Sequence, residues 1–314
     1  MVDSAVMTEL RVRVRTLARE ADDVLSVEFE ALAGALPRWT PGSHIDLVVP
    51  GAPVRQYSLC GDPASPRYRI AVRRETESRG GSRAIHERLR PGDEVVLREP
   101  RNHFVLEPAA EYLFIAGGIG ITPLLPMLRE ASERGAAWRL LYLGSSRSRM
   151  PFLDEIAGRG GDCRVIAADE GTRADLVAEV AASPDALVYA CGPERMLSAL
   201  AEAVTDDSER LRMEYFSAPE VHYEPGGPFR IRLDRSGLEL DVSPDETILE
   251  VMRGAGVDVL TDCEEGICGS CETRIVDGEA EHRDFVLTAQ EKSENHCLMV
   301  CVSRASCPVL VLDA

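Results

Sequence analysis

Nine cysteines are distributed along the 314 residues, and four of them carry a spacing that could do chemistry. The run Asp262-Cys-Glu-Glu-Gly-Ile-Cys-Gly-Ser-Cys-Glu272 sets Cys263, Cys268 and Cys271 in a C-x4-C-x2-C loop, and Cys301 follows in Leu298-Met-Val-Cys-Val302. Three thiolates from one tight loop and a fourth from a distant segment form the ligand set of a [2Fe–2S] cluster. Gly266, Gly269 and Ser270 are small enough to let backbone N–H groups turn toward the sulfurs. Cys297 and Cys307 are rivals for the fourth place, and the separation of Cys301 from Cys271 suits the pattern best. Structural zinc is the alternative, but zinc more often takes two paired knuckles than three ligands from one loop. A Rieske centre would need two His–Cys pairs, which the chain lacks. His86, His103 and His282 read as packing or surface residues.

Two further stretches suit phosphate groups, and a third has a similar strand-to-helix form. Arg73-Arg-Glu-Thr-Glu-Ser-Arg-Gly-Gly-Ser82 ends in a turn that opens a helix, where free N–H groups and the helix dipole favour an anion. Gly80, Gly81 and Ser82 would hold it, with Arg79 nearby. Tyr112-Leu-Phe-Ile-Ala116 is a continuous apolar strand, followed by Gly117-Gly-Ile-Gly-Ile-Thr-Pro123 and a helical stretch from Leu124 to Ala131. That order starts a parallel βαβ unit, with glycines that let a pyrophosphate approach the backbone and Thr122 placed to add a hydroxyl. Cys191-Gly-Pro-Glu-Arg-Met196 ends another strand and opens another helix.

These groups need elements to position them. From Leu10 to about Phe104, short alternating segments broken by Pro and Gly predict an antiparallel barrel: 11–17, 24–30, 44–49, 68–72 and 94–97. The middle third predicts parallel strands at 138–144 and 163–168 with a helix over 149–157 between them, and a strand at 186–190. Residues 217–228, rich in Pro and Gly, read as a linker. Beyond it, 229–233 and 238–242 alternate as a hairpin, and 247–254 reads as a helix before the cysteine loop.

Composition narrows the function. The net charge of −18 argues against nucleic acid, and 45% hydrophobic residues suffice for cores. No apolar run approaches the roughly 20 residues of a membrane span. The start of the chain lacks a signal-peptide pattern, so nine cysteines point to a reducing cytoplasm. From Phe229 onward, 18 acidic side chains face 8 basic ones, a net of about −10 that would steer toward a basic partner.

Val54-Arg-Gln-Tyr-Ser-Leu59 resembles the Arg-x-Tyr-Ser motif of ferredoxin reductase-like flavin domains. The resemblance implies that Arg55 binds the flavin phosphate, Tyr57 packs on the isoalloxazine and Ser58 hydrogen-bonds near N5, with Gln56 between them. Gly117-Gly-x-Gly-x-Thr-Pro123 and Cys191-Gly-Pro193 resemble the two nucleotide motifs of the same group, which implies that Cys191 lies near the flavin and nicotinamide rings. With Pro100-Arg-Asn102 and Cys301-Val-Ser-Arg304, the whole chain resembles the phthalate dioxygenase reductase family, which includes vanillate demethylase reductases. The implied fold is multidomain: a flavin-binding antiparallel β-barrel (1–106), an α/β parallel-sheet NAD(P) domain (107–218), a linker (219–228) and an α+β, β-grasp plant-type ferredoxin domain (229–314). Ser58 and Cys191 are the expected catalytic residues. Arg55, Gln56, Tyr57, Ser58, Arg79, Gly80, Gly81, Ser82, Gly117, Gly118, Gly120, Thr122, Pro123, Cys191, Gly192, Pro193 and Phe216 are expected at the cofactors, and Cys263, Cys268, Cys271 and Cys301 on the cluster. The family uses FMN, with FAD open on sequence grounds. NADH is favoured, although Arg147 and Arg149 in Ser145-Ser-Arg-Ser-Arg149 keep NADPH open, since arginines there could accept a 2′-phosphate.

The implied activity is electron transfer from NADH through FMN and the cluster to a terminal oxygenase, a Rieske-type dioxygenase or demethylase, or alternatively a cytochrome P450. The partner would dock on the acidic ferredoxin domain of a monomer. A subunit of a stable complex like that of dihydroorotate dehydrogenase would require FAD and a different cysteine spacing. A non-catalytic redox sensor would not need both nucleotide motifs.

Overall fold

A computed structural model describes residues 8–75, 80–204, 209–221, 223–224 and 226–314. The chain divides into two compact units, 1–213 and 214–314. Among the described residues no helix is long and apolar enough to cross a membrane.

The first unit holds two sheets. Strands β1 (Glu9–Ala21), β2 (Val24–Ala31), β3 (Ser43–Val48), β4 (Arg55–Ser58), β5 (Tyr68–Arg73) and, after helix α1 (Gly81–Arg88), β6 (Glu94–Asn102) form a six-stranded sheet in the order β4-β3-β6-β1-β2-β5. Its neighbouring pairs are antiparallel, and Val12, Val14, Val27, Phe29, Ile45, Leu47 and Leu97 fill its interior. Period-2 alternation in β1 and β2 drives this, since every second side chain meets the core.

The second sheet is parallel. Its elements are β7 (Glu111–Gly117), α2 (Ile121–Glu133), β8 (Ala137–Gly144), α3 (Leu153–Ala157), β9 (Asp162–Ala167), α4 (Leu176–Ala181), β10 (Leu187–Cys191), α5 (Glu194–Ala203) and β11 (Leu211–Glu214). The order β11-β10-β7-β8-β9 reverses between β7 and β10, which makes the carboxyl ends of those two strands the switch point where such sheets bind nucleotides. The helix expected over 149–157 is shorter. Pro151 ends the preceding turn, Phe152 takes φ 65, and regular helix runs only from Leu153 to Ala157. Val24, Cys60 and Ala71 of the barrel share one apolar core with Phe114 and Tyr142 of the parallel sheet and Leu125 of α2, so the two sheets make a single compact unit.

The second unit contains β12 (Phe229–Leu233), β13 (Glu239–Val242), α6 (Ile248–Gly254), β14 (Glu272–Asp277), β15 (Ala280–Glu281), α7 (Ala289–Glu294), β16 (Cys297–Met299), β17 (Arg304–Ala305) and β18 (Val309–Leu312). The order β13-β12-β18-β14-β16 has a parallel β12–β18 pair at its centre, with α6 packed on Ile231, Leu233 and Leu310 as in a β-grasp fold. Both α6 and α7 open with reciprocal capping boxes, Thr247–Glu250 and Thr288–Glu291. The Pro/Gly-rich stretch before β12 is held against this unit. Tyr223 donates 3.2 Å to the Arg283 carbonyl, and the Arg283 guanidinium stacks on its ring.

Candidate functional site

One strand register closes the cysteine site. Glu272 stands opposite Met299 in the β14–β16 pair, and Val300 N–H reaches the Cys271 carbonyl at 3.5 Å. Cys301 is thereby laid beside Cys271, and the thiols act on one another's ionisation in two pairs, Cys263 with Cys268 and Cys271 with Cys301. Two pairs of cysteines suit two irons. Gly266 and Gly269 take φ 72 and 74, and a β-carbon on Gly266 would stand 2.7 Å from Cγ2 of Val302. The loop turns N–H groups to sulfur: Glu265 donates to Cys263 at 3.3 Å and Ser270 to Cys268 at 3.4 Å. The contact with Cys263, with help from Ser270, lowers the Cys268 thiol and raises that of Cys263, as expected where neighbouring sulfurs compete for one proton. Ser270 Oγ is anchored by a 2.6 Å bond to the Asp262 carboxylate. The residues fit a cluster.

The rivals are engaged elsewhere. Cys297 lies opposite Arg274, farther along β14; burial first, then the nearby Glu272 carboxylate, lifts its thiol to about 12. Cys307 donates 3.0 Å to the Val309 carbonyl and accepts from Glu279 N–H at 3.2 Å.

At the barrel, β4 and α1 meet. Gly80 takes φ 110, and a β-carbon on Gly81 would stand 2.6 Å from Cγ of Arg55 and 3.6 Å from the Tyr57 hydroxyl. Arg55, Tyr57 and the start of α1 therefore share one spot. The N-cap of α1 is Gly80, which brings no side chain of its own to cap the helix, and a helix start of this kind suits an anion. A cleft of about 330 Å³, lined in part by Pro53, Gly80 and Arg83, opens beside it. Ser82 Oγ accepts from Glu75 N–H at 3.2 Å and ties the turn to the end of β5. Burial pushes the Tyr57 hydroxyl upward, so it stays protonated. Among the described residues Gln56 Nε2 is buried with no acceptor, and Ser58 is buried opposite His44. These features fit a flavin phosphate. Arg79 lies outside the described residues.

At the switch point, Cys191 stands level with Ala116. A β-carbon on Gly120 would lie 2.2 Å from the Cys191 carbonyl oxygen, and one on Gly117 would lie 2.5 Å from Cδ of Pro193. The second motif thus packs backbone to backbone on the first, with Gly192 against Gly117, a cradle that any side chain would fill. Gly118 takes φ 55, and its carbonyl accepts 3.1 Å from the Tyr142 hydroxyl. Pro123 is buried in the first turn of α2, where a missing N–H costs nothing. The Thr122 hydroxyl is buried and donates 3.0 Å to the Ile119 carbonyl, so its proton serves the turn. Phe216 falls in the second unit and is exposed.

Two features escaped the sequence reading. Nη1 of Arg73, at the end of β5, comes within 4.0 Å of the β-carbon position of Gly118, which brings a barrel cation to the nucleotide turn. Asp46 is fully buried under Arg101 at 2.7 Å and Arg98 at 3.6 Å. The signal for both was an unplaced charge in a strand, and only the strand order gives it an address.

A family model for the 2Fe-2S iron-sulfur cluster binding domain matches residues 231–306. The chain is 41% identical to the phenoxybenzoate dioxygenase subunit beta of Ectopseudomonas oleovorans, over 100% of both chains. It is 36% identical to the solved structure of phthalate dioxygenase reductase, described as passing electrons from pyridine nucleotides to [2Fe–2S], with 98% of each chain covered and a TM-score of 0.69. An intact type IV self-sufficient cytochrome P450 monooxygenase is 43% identical over 98% of this chain with a TM-score of 0.93, and this chain spans 41% of that one.

Proposed function

The chain belongs to the phthalate dioxygenase reductase family, and from that we infer that it carries electrons from NADH through FMN and a [2Fe–2S] cluster to a terminal oxygenase. It is an NAD(P)H-dependent flavin iron–sulfur oxidoreductase. The observation that carries this reading is the register that sets Cys301 beside Cys271, within a chain that keeps both nucleotide motifs.

We assign Arg55, Gly80, Gly81 and Ser82 to the flavin phosphate, Tyr57 to the ring face and Ser58 to its polar edge. Gly117, Gly118 and Gly120 give the nicotinamide nucleotide a close approach at the start of α2, with Cys191, Gly192 and Pro193 behind it. Cys263, Cys268, Cys271 and Cys301 hold the irons. When bound, the nicotinamide supplies a hydride, the flavin divides the electron pair and the cluster relays single electrons. The protein binds, orients and shields these groups.

The partner we favour is a Rieske-type dioxygenase or demethylase, docking on the acidic face of residues 229–314 of a monomer in the cytoplasm. A cytochrome P450 is the second reading, favoured by the 43% identity to the reductase-length part of a P450 monooxygenase. Anaerobic titration with NADH tests the core reading. Bleaching of flavin and iron–sulfur bands with about three electrons per chain supports it. Bleaching of flavin alone would disconnect the cluster and defeat it. Salt dependence of partner reduction tests the docking face, since rim charges act mainly on association and are screened.

A further inference from the structure

The loop after β8 carries two arginines at the place where the adenosine ribose of a nicotinamide nucleotide lies in sheets of this order. Both are already paired. Arg147 Nε donates 2.6 Å and Nη2 3.3 Å to the two carboxylate oxygens of Glu170, in the turn that follows β9. Arg149 pairs with Asp23 at 3.3 Å. The backbone holds these partners in place. Asp169 N–H donates 3.1 Å to the Ser145 carbonyl, and Asp22 N–H donates 2.7 Å to the Ser148 carbonyl. Asp23 takes φ 59 at the tip of the β1–β2 hairpin, so the barrel itself pins the loop.

We propose that Glu170 sets the choice between NADH and NADPH by occupying the guanidinium fork of Arg147. This rests on the nucleotide-site reading above and adds the residue that decides selectivity. A bidentate carboxylate satisfies the same fork that a phosphate would use. To reach Arg147, a 2′-phosphate must displace Glu170 and then remain beside that carboxylate and Asp169, like charges that disfavour it. A 2′-hydroxyl brings no charge and is compatible with the carboxylate as an acceptor. Arg149, held by the hairpin, offers no substitute.

The test uses the flavin- and cluster-loaded protein and measures equilibrium binding of ADP and of 2′,5′-ADP by calorimetry, a readout independent of turnover. Wild type should bind 2′,5′-ADP no tighter than ADP. Glu170→Gln should shift the ratio of the two affinities toward 2′,5′-ADP on the order of tenfold, the value of one freed charge-assisted contact. The pair Glu170→Gln with Arg147→Gln should lose that shift. An unchanged ratio in Glu170→Gln, or a gain that survives loss of Arg147, overturns the proposal while ADP binding keeps the nucleotide site intact. Failure of ADP to bind wild type at all overturns the site assignment and the proposal together.

Discussion

A β-carbon on Gly81 would stand 2.6 Å from Cγ of Arg55, so the first residue of α1 lies directly against the stem of the arginine two strands away in sequence. The contact is with the inner part of the side chain, and Arg55 cannot yield by swinging its tip. We expect Gly81→Ala to displace Arg55 and weaken FMN binding at least tenfold while the barrel stays folded. Fluorescence titration of the deflavinated protein measures it, and unchanged affinity would separate this contact from the flavin site.

Gly120 is the most constrained of the turn glycines, because the atoms facing it are the carbonyl of Cys191 at 2.2 Å and its carbon at 2.5 Å, both backbone. Gly120→Ala must push β10 away from β7, at a cost of about 2 kcal/mol or more. Gly254, with nothing within 4 Å, is the matched control and should tolerate alanine. Thermal unfolding of both variants decides, and equal midpoints would refute the close packing.

Cys268→Ser should remove the iron–sulfur absorbance and abolish reduction of cytochrome c, yet spare reduction of ferricyanide, which flavin alone performs. Loss of both activities in parallel would count against a sequential relay.

His44 is buried beside Arg101 and His103, and burial first, then those neighbours, pull its pKa from 6.5 down to about 3. In the unfolded chain it gains a proton near 6.5, whereas the folded chain holds it neutral until about 3. Its contribution is therefore complete above 6.5 and declines as pH falls from 6.5 toward 3. Linkage sets this loss at about 2 kcal/mol between pH 7 and pH 5. Urea unfolding at the two pH values should show a shallower decline for His44→Gln than for wild type. Parallel declines would exclude His44 as the source.

Much of the chemistry was legible because its signals are local. The C-x4-C-x2-C loop, the Gly-Gly-Ser turn and the Gly117–Pro123 turn each fit within about one loop, where residue type and spacing alone constrain the backbone. The barrel strands were legible for a similar reason, since alternation is a property of five or six consecutive residues. The helix over 149–157 was overestimated because its apolar content outweighed Pro151, and a single left-handed residue at Phe152 decides where helix can start.

Sequence by itself determined the ligand types, the order of the nucleotide motifs and the three kinds of sheet, all set by short-range sterics and hydrogen bonding. Spacing already favoured Cys301 over Cys297 and Cys307, but tertiary structure alone decided the register that lays it beside Cys271, that Gly120 lies on Cys191, and that Glu170 occupies Arg147. Those are pairings between strands and turns distant in the chain. Register and strand order fix them, and both follow from how whole elements bury their apolar faces rather than from any one stretch of residues.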